Sequence, residues 1–510
     1  MGRKILFITT DQMRFDAIGA NGQKIARTPA IDALARDGIN YTRCHAQNVV
    51  CMPARSTMIT GQYVTTHGVW MNGVPLPEDA PSVARLLKEK KNYRTALIGK
   101  AHFEPMLDFG GKYPENTMGR TGQFGPHRGF DHMELAGHGP RGPLHYPQWL
   151  MKTHPEVLDN FYPVLGPNLH QNSYGAGDTG AVQVKHNPTP RGLYHTDWVA
   201  ERTIAYLDSL SANADWFVWM SFPDPHHPWD PPQSELGRVN WRDIPVPAGY
   251  PGSRDKIDEI LSGKPHHWHD WWTGKRVTCF EAPPEWVPQS LTTDQLREVD
   301  AMIHVKNELI DEAVARVMGH IARRGWNDDT DVIFSTDHGD FQGDFGLLFK
   351  GPHHVDSLMR LPLIWRPAPN ARVAPASFDA PVGQVDLAPT FCEIAGIEAA
   401  EWMEGFALPR DAKAASKRQA VFTEWDSQFE DVSVSMRTLY RDGWTITAYN
   451  KTSLYEGTEG ELYDMAEDPH QWRNLWNEPS AAGMKRDLLD DLRARTPKGD
   501  TRRRQVEAPV

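Results

Sequence analysis

Asp11 and Gln12 follow the apolar run K-I-L-F-I-T-T (4–10), and Asp337 and His338 follow a second such run, D-V-I-F-S-T (331–336). Two carboxylates, an imidazole and an amide oxygen suit a divalent cation. The imidazole moves the preference from calcium alone towards manganese. An isolated Asp at a strand end is more often a helix cap, but the turn T-D-H-G-D favours the ligand reading. Lys100 and His102 stand in G-K-A-H-F, where alternate residues of extended chain point the same way. His226 and His227 sit in P-D-P-H-H-P-W-D-P-P (223–232), a loop stiffened by its prolines. Lys350 lies in G-L-L-F-K-G-P-H-H, and Cys51 opens C-M-P-A-R-S-T-M-I-T-G. Arg55, Lys100, His102, His226 and Lys350, set around a metal and a cysteine, suit a tetrahedral oxyanion such as sulfate or phosphate. A helix N-terminus is expected in the segment after Cys51 and also favours an anion.

These residues need a frame. Short apolar runs at 4–10, 94–100, 216–222, 331–339 and 361–365 read as buried strands. Amphipathic stretches at 28–38, 82–91, 195–210 and 292–325 read as helices, with Thr28-Pro29 as N-cap and first helical residue. Alternation of this kind implies a mostly parallel sheet with helices on both faces, an α/β fold. Ligands of such sheets bind beyond the carboxyl ends of the strands, where Asp11, Lys100, His226 and Asp337 all fall. Residues 103–190 and 228–292 break the pattern and read as long insertions over that rim. The tryptophans of 268–286 leave two readings open: core or, set as they are among histidines and prolines, an apolar wall for an aryl or alkyl leaving group. The catalytic domain is expected to span 1–415. A smaller subdomain (416–510) is expected to hold an antiparallel sheet, a helix near 480–494 and a tail that forms an arm or is disordered.

The 510 residues carry a net charge of −12, which argues against nucleic acid or an anionic membrane as partner. There is no run of about 18 apolar residues. The opening M-G-R-K-I-L-F-I-T-T-D-Q has too short an apolar run for a signal peptide, so cytoplasmic residence is expected. Cys44, Cys51, Cys279 and Cys392 are too few and too scattered for a disulfide framework or a zinc cluster. All but Cys51 read as buried thiols.

C-M-P-A-R-S-T-M-I-T-G resembles the C-x-P-x-R signature of the type I sulfatases. T-P-A-I-D-A-L-A-R-D-G, G-K-A-H-F, S-F-P-D-P-H-H-P, S-T-D-H-G-D-F-Q-G-D-F-G-L-L-F-K and E-L-Y-D-M-A-E-D-P extend the resemblance in family order over nearly the whole chain. The family lies in the alkaline phosphatase superfamily, which implies an α/β core with a small C-terminal subdomain. The resemblance implies that a formylglycine-generating or equivalent maturation enzyme oxidises Cys51 to formylglycine. One hydroxyl of its hydrate would attack the sulfur of a sulfate ester, giving a covalent sulfo-enzyme, and the other would expel sulfate. It further implies one divalent ion, Ca2+ or Mn2+, on Asp11, Gln12, Asp337, His338 and the modified Cys51.

Arg55 would hold the hydrate, Lys100 and Lys350 would neutralise sulfate oxygens, and His226 and Lys350 would assist the leaving oxygen. His102 would accept a proton in the elimination, and Asp337 would be the base at the nucleophilic hydroxyl. Many sulfatases carry a second Asp where this chain has Gln12, and Asn where it has His338. The Asp-Gln and Asp-His pairs resemble instead the branch of phosphonate monoester hydrolases and choline-sulfatase-like enzymes. So does T-T-H-G-V-W-M-N-G-V-P-L-P, which would place Asn72, with His227, at the substrate. Lys100 and His102 keep the sulfatase pattern. The expected activity is hydrolysis of small sulfate monoesters, aryl sulfates foremost, with phosphonate monoesters or phosphodiesters as the alternative. The C-terminal arm points to a homodimer or homotetramer.

Overall fold

The computed structural model describes residues 3–108, 110–160, 177–277, 279, 281–283, 286–429, 432–497 and 504–508. The strands, in chain order, begin with β1 (Lys4–Asp11), β2 (Ile39–Tyr41), β3 (Cys44–His45), β4 (Arg94–Gly99) and β5 (His132–Leu135). Then come β6 (Trp216–Pro225), β7 (Thr330–Thr336), β8 (Arg360–Leu361), β9 (Ile364–Arg366), β10 (Ala376–Phe378) and β11 (Val382–Gly383). The C-terminal strands are β12 (Ala420–Phe429), β13 (Val432–Arg441), β14 (Trp444–Tyr449) and β15 (Gly460–Asp464).

The main sheet runs β10-β2-β9-β7-β1-β6-β4-β5. From β7 to β5 every pairing is parallel. Alternate residues of β1 enter different cores: Ile5 and Phe7 pack on one face, Leu6 and Ile8 on the other. The first face is covered by helices Cys51–Thr60, Val83–Lys91 and Leu387–Ala395, through Met58, Leu87 and Phe391. The second is covered by Pro29–Asp37, His195–Ser209 and Thr293–Arg323, through Leu34, Trp198 and Val314. Both faces being buried, the strands read as unbroken apolar runs.

Several local expectations change. The run 361–365 is not one parallel strand. Pro362 cannot donate to a ladder, so the chain splits there. Leu361 pairs with Cys44 in a small second sheet, while β9 runs antiparallel to β7. Thr28 does stand at the N-cap with Pro29 first in the helix, but its hydroxyl does not cap the helix. The carboxylate of Asp311 accepts from Ala30 N (3.1 Å) and Ile31 N (2.8 Å) instead. The stretch 103–190 also supplies β5, which extends the main sheet beside β4.

The C-terminal sheet is antiparallel in the order β12-β13-β14-β15, with helix Ala482–Arg495 against it. Part of the tail is held. Trp70 Nε1 donates to Arg504 O (2.8 Å), Glu507 N donates to Gly73 O (2.8 Å), and Tyr113 OH donates to the Glu507 carboxylate (2.6 Å). The remaining tail residues, 498–503 and 509–510, lie outside the described residues.

The tryptophans at 268, 271 and 272 are core, with at most 1 % of their surface exposed. Helix His267–Trp272 packs against Phe341, Phe345 and the β13–β14 face of the C-terminal sheet. For these three residues the apolar wall is therefore absent. They glue the second insertion to the C-terminal sheet. No helix among the described residues is long and apolar enough to cross a membrane.

Candidate active site

Four neighbouring strands, β7, β1, β6 and β4, end on one rim and carry the site. β1 ends at Asp11, Asp337 follows β7, His226 follows β6 and Lys100 follows β4. Gly99 allows the close approach that this needs. Its φ is +106°, a Cβ there would lie 1.7 Å from Ser221 O, and Lys100 N donates to that same oxygen at 2.8 Å.

The helix expected after Cys51 begins at Cys51 itself and ends at Thr60, with Gly61 in the left-handed C-cap. Cys51 and Arg55 are thus four residues apart on one helix face. Pro53 falls in the first turn, where a missing N–H costs nothing. Asn72 supports the helix start: its Oδ1 accepts from Met52 N at 3.0 Å.

Around the Cys51 thiol, Sγ lies 3.2 Å from His338 Nε2 and 3.7 Å from Asp11 Oδ1. Ligand atoms of Asp11, Cys51, Asp337 and His338 lie within 4.8 Å of one another, all buried. His338 Nδ1 bonds Gly339 O at 2.9 Å, which puts the proton on Nδ1 and turns the Nε2 lone pair towards the two carboxylates. That is the arrangement a metal-ligating imidazole takes. Burial drives the His338 pKa down to about 3, so the ring is neutral. Burial, then repulsion from Asp337, pushes Asp11 up to about 6 despite Lys100 and Arg55. Burial also opposes ionisation of Asp337, but His338, Arg55 and Lys100 outweigh it and hold its carboxyl well below the usual range. Two facing carboxylates and a neutral imidazole with a free lone pair fit a divalent cation.

The expected cations surround this cluster. Arg55 Nε donates to Asp337 Oδ2 at 2.8 Å, and its Nη1 to Lys100 O (2.7 Å) and Ser221 Oγ (2.9 Å). Lys100 Nζ pairs with Asp11 Oδ2 and lies 2.8 Å from His138 Nε2. Lys350 Nζ donates to Gln12 Oε1 (2.7 Å) and lies 2.8 Å from His226 Nε2. The Gln12 amide thus joins the acidic cluster to the cations, and its Nε2 donates to Asp340. Gln12 and His102 both hold positive φ, +65° and +57°. Such strain in non-glycine residues collects at functional sites. His102 is buried and neither ring nitrogen has a hydrogen-bond partner among the described residues. Burial, with Lys100 and Arg55 nearby, holds its pKa well below the ordinary value. His227 stacks on His226 at 3.9 Å between ring centroids.

Cys51 is a poor thiolate. Burial, then Asp11, pushes its pKa up to about 12, and a thiol at that pKa is not a nucleophile near neutral pH.

Three residues absent from the sequence reading complete the site. His138 stacks on His226 at 3.8 Å. Asp340, raised by burial to about 6, holds Gln12. Glu281 lies 2.5 Å from Lys350 Nζ, 3.1 Å from His227 Nε2 and 3.4 Å from His226 Nε2. Asp340 could have been found in T-D-H-G-D, two residues from His338 on the same turn. His138 and Glu281 come from aperiodic insertion chain, where no spacing announces them.

The sulfatase family model matches residues 3–397, and the model of the N-sulphoglucosamine sulphohydrolase C-terminal region matches 343–498. The uncharacterized sulfatase YidJ of Escherichia coli (strain K12) is 25% identical over 96% of this chain and 86% of its own. An arylsulfatase of Clostridium perfringens is 23% identical, covering 94% and 91%. Among solved structures, the phosphonate monoester hydrolase of Agrobacterium radiobacter superposes with a TM-score of 0.77 at 23% identity, over 96% and 95% of the two chains. The chain belongs to the sulfatase family, with the fold of the alkaline phosphatase superfamily.

Proposed function

We propose that the chain hydrolyses sulfate monoesters, aryl sulfates foremost, with formylglycine made from Cys51 by a maturation enzyme. The observation that carries this is the place of Cys51: first residue of its helix, buried beside His338 and Asp11, one turn from Arg55, with a thiol too weakly acidic to act itself. Formylglycine at position 51 would supply, as its hydrate, an oxygen nucleophile. Asp11, Asp337 and His338, with Gln12, would hold a Ca2+ or Mn2+ ion that lowers the pKa of that oxygen's proton.

The chain's own groups do the rest. Arg55 fixes Asp337 and the helix face that presents position 51. Asp337, kept ionised, accepts the proton of the attacking hydroxyl. Lys100 and Lys350 draw in the ester's oxyanion. Lys350 hands the leaving oxygen a proton, and His226, kept neutral by burial, accepts from Lys350 Nζ at Nε2 and holds it in place. His102, neutral and without a hydrogen-bond partner among the described residues, receives the proton released as sulfate departs. Asn72 and His227 border the substrate. Cytoplasmic residence and a homodimer or homotetramer belong to the same reading.

A second activity on phosphonate monoesters or phosphodiesters is favoured by the Asp-Gln and Asp-His pairs of the cluster. The test is kcat/KM of the matured enzyme on 4-nitrophenyl sulfate and on 4-nitrophenyl phenylphosphonate, with free sulfate measured. Sulfate release at the higher kcat/KM supports the first reading. Preference for the phosphonate reverses the order, and turnover of neither overturns both.

A further inference from the structure

Glu281 is a built part of the site. Its carbonyl accepts from Gln183 Nε2 at 2.6 Å, and Gln183 O accepts from Trp229 N at 2.9 Å, two residues after His227. One short set of hydrogen bonds therefore ties the second insertion, the first insertion and the His226-His227 loop together. The carboxylate sits against Lys350, His226 and His227, and one of its oxygens lies within 4.8 Å of Cys51 Sγ and a His226 ring nitrogen. Its side chain keeps 15% exposure, while the Lys350 side chain keeps 2%.

That place is costly for a catalyst of anionic esters. Arg55, Lys100 and Lys350 gather positive charge for an incoming oxyanion, and Glu281 cancels one unit of it at the position where the ester must sit. The cancellation does not fall equally on all esters. Sulfate monoesters, phosphonate monoesters and phosphodiesters bring one negative charge, whereas a phosphate monoester approaches two near neutral pH. A fixed carboxylate a few ångströms away repels the second kind about twice as strongly.

We propose, building on the sulfatase reading above, that Glu281 is a specificity residue that makes the site select singly charged esters and reject phosphate monoesters. The carboxylate held on Lys350, His226 and His227 carries this role through its charge rather than its shape.

The experiment compares the matured wild type with Glu281→Gln and Glu281→Asp. For each, kcat/KM is measured on 4-nitrophenyl sulfate and 4-nitrophenyl phosphate, and inhibition constants are measured for benzenesulfonate and phenylphosphonate, all at one pH at which phenylphosphonate is doubly charged. In E281Q the phosphate-to-sulfate ratio of kcat/KM is expected to rise about tenfold or more, the scale of one unit charge at this range in an intermediate dielectric. The inhibition constant for doubly charged phenylphosphonate should fall relative to that for singly charged benzenesulfonate, and E281D should keep the wild-type ratios. Equal losses on both substrates in E281Q, with unchanged ratios, would assign Glu281 a structural role and overturn the proposal. Should the wild type release no sulfate from any ester, the parent reading fails. Calorimetry of benzenesulfonate and phenylphosphonate binding to wild type and E281Q then decides the charge selection by itself: a shift towards phenylphosphonate in E281Q supports it, and an unchanged ratio overturns it.

Discussion

Two stretches of this chain look alike on paper. P-D-P-H-H-P-W (223–229) and P-H-H-W-H-D-W-W (265–272) both crowd histidine and tryptophan beside proline. In the folded chain they do opposite things. The first closes β6 and delivers His226 and His227 to Lys350 and Glu281. The second is a short helix buried between an insertion and the C-terminal sheet, where His267 bonds Tyr455 OH (2.6 Å) and Pro352 O (2.7 Å) and Lys264 sits over the Trp268 ring. The residue types are the same; the difference is the strand end. A histidine just past a central parallel strand faces the rim, whereas one on a helix inside a loop finds whatever core that loop builds.

The contrast predicts a separation of effects. His226→Ala should lower kcat by about 10²–10⁴-fold, the usual worth of assistance to a proton transfer, with Tm nearly unchanged. A Tm drop with retained kcat per folded molecule would make His226 structural. Trp268→Ala should cost about 3–5 kcal/mol of stability in denaturant unfolding, with kcat/KM of the folded enzyme within a few-fold of wild type. A selective loss of affinity for aryl substrates in W268A would restore the apolar wall that burial argues against.

His267 sharpens the contrast through pH. Burial holds its pKa down to about 4, below the ordinary 6.5. The unfolded chain therefore takes up this proton first as pH falls, so stability is present above about pH 6.5 and is lost progressively towards pH 4. His267→Gln should remove that share, roughly 3 kcal/mol at most, so its stability relative to wild type should improve between pH 7 and pH 4. A stability difference that stays constant with pH would contradict a neutral, buried His267. The smallest effect belongs to His269, paired at 2.9 Å with the exposed Asp258. His269→Ala should change stability by less than about 1 kcal/mol in the same unfolding assay and leave kcat untouched.

What could be read from residues alone follows the same line. Asp11, Lys100, His226 and Asp337 were legible because a central parallel strand is a largely apolar run and its end is marked by the change to polar and charged residues. Cys51 and Arg55 were legible through a motif whose spacing is one helical turn. The metal-side geometry follows from those two facts. The 361–365 run was misread as one strand because hydropathy ignores the N–H that Pro362 lacks. The tryptophans at 268–272 stayed open between two readings because an aromatic cluster has the same letters in a pocket wall and in a core. His138 and Glu281 were invisible: each reaches the rim from a loop whose path is set by contacts far away in sequence, such as Gln183 to Glu281.

The central claim is that Cys51 is a precursor rather than a nucleophile. Mass spectrometry of the tryptic peptide Cys44–Arg55 from catalytically active enzyme tests it most directly, because Cys44, buried and outside the site, serves as an internal standard. The account predicts that position 51 has lost its sulfur and carries an aldehyde while Cys44 remains an alkylatable thiol. Active enzyme whose peptide carries two unmodified thiols would contradict it.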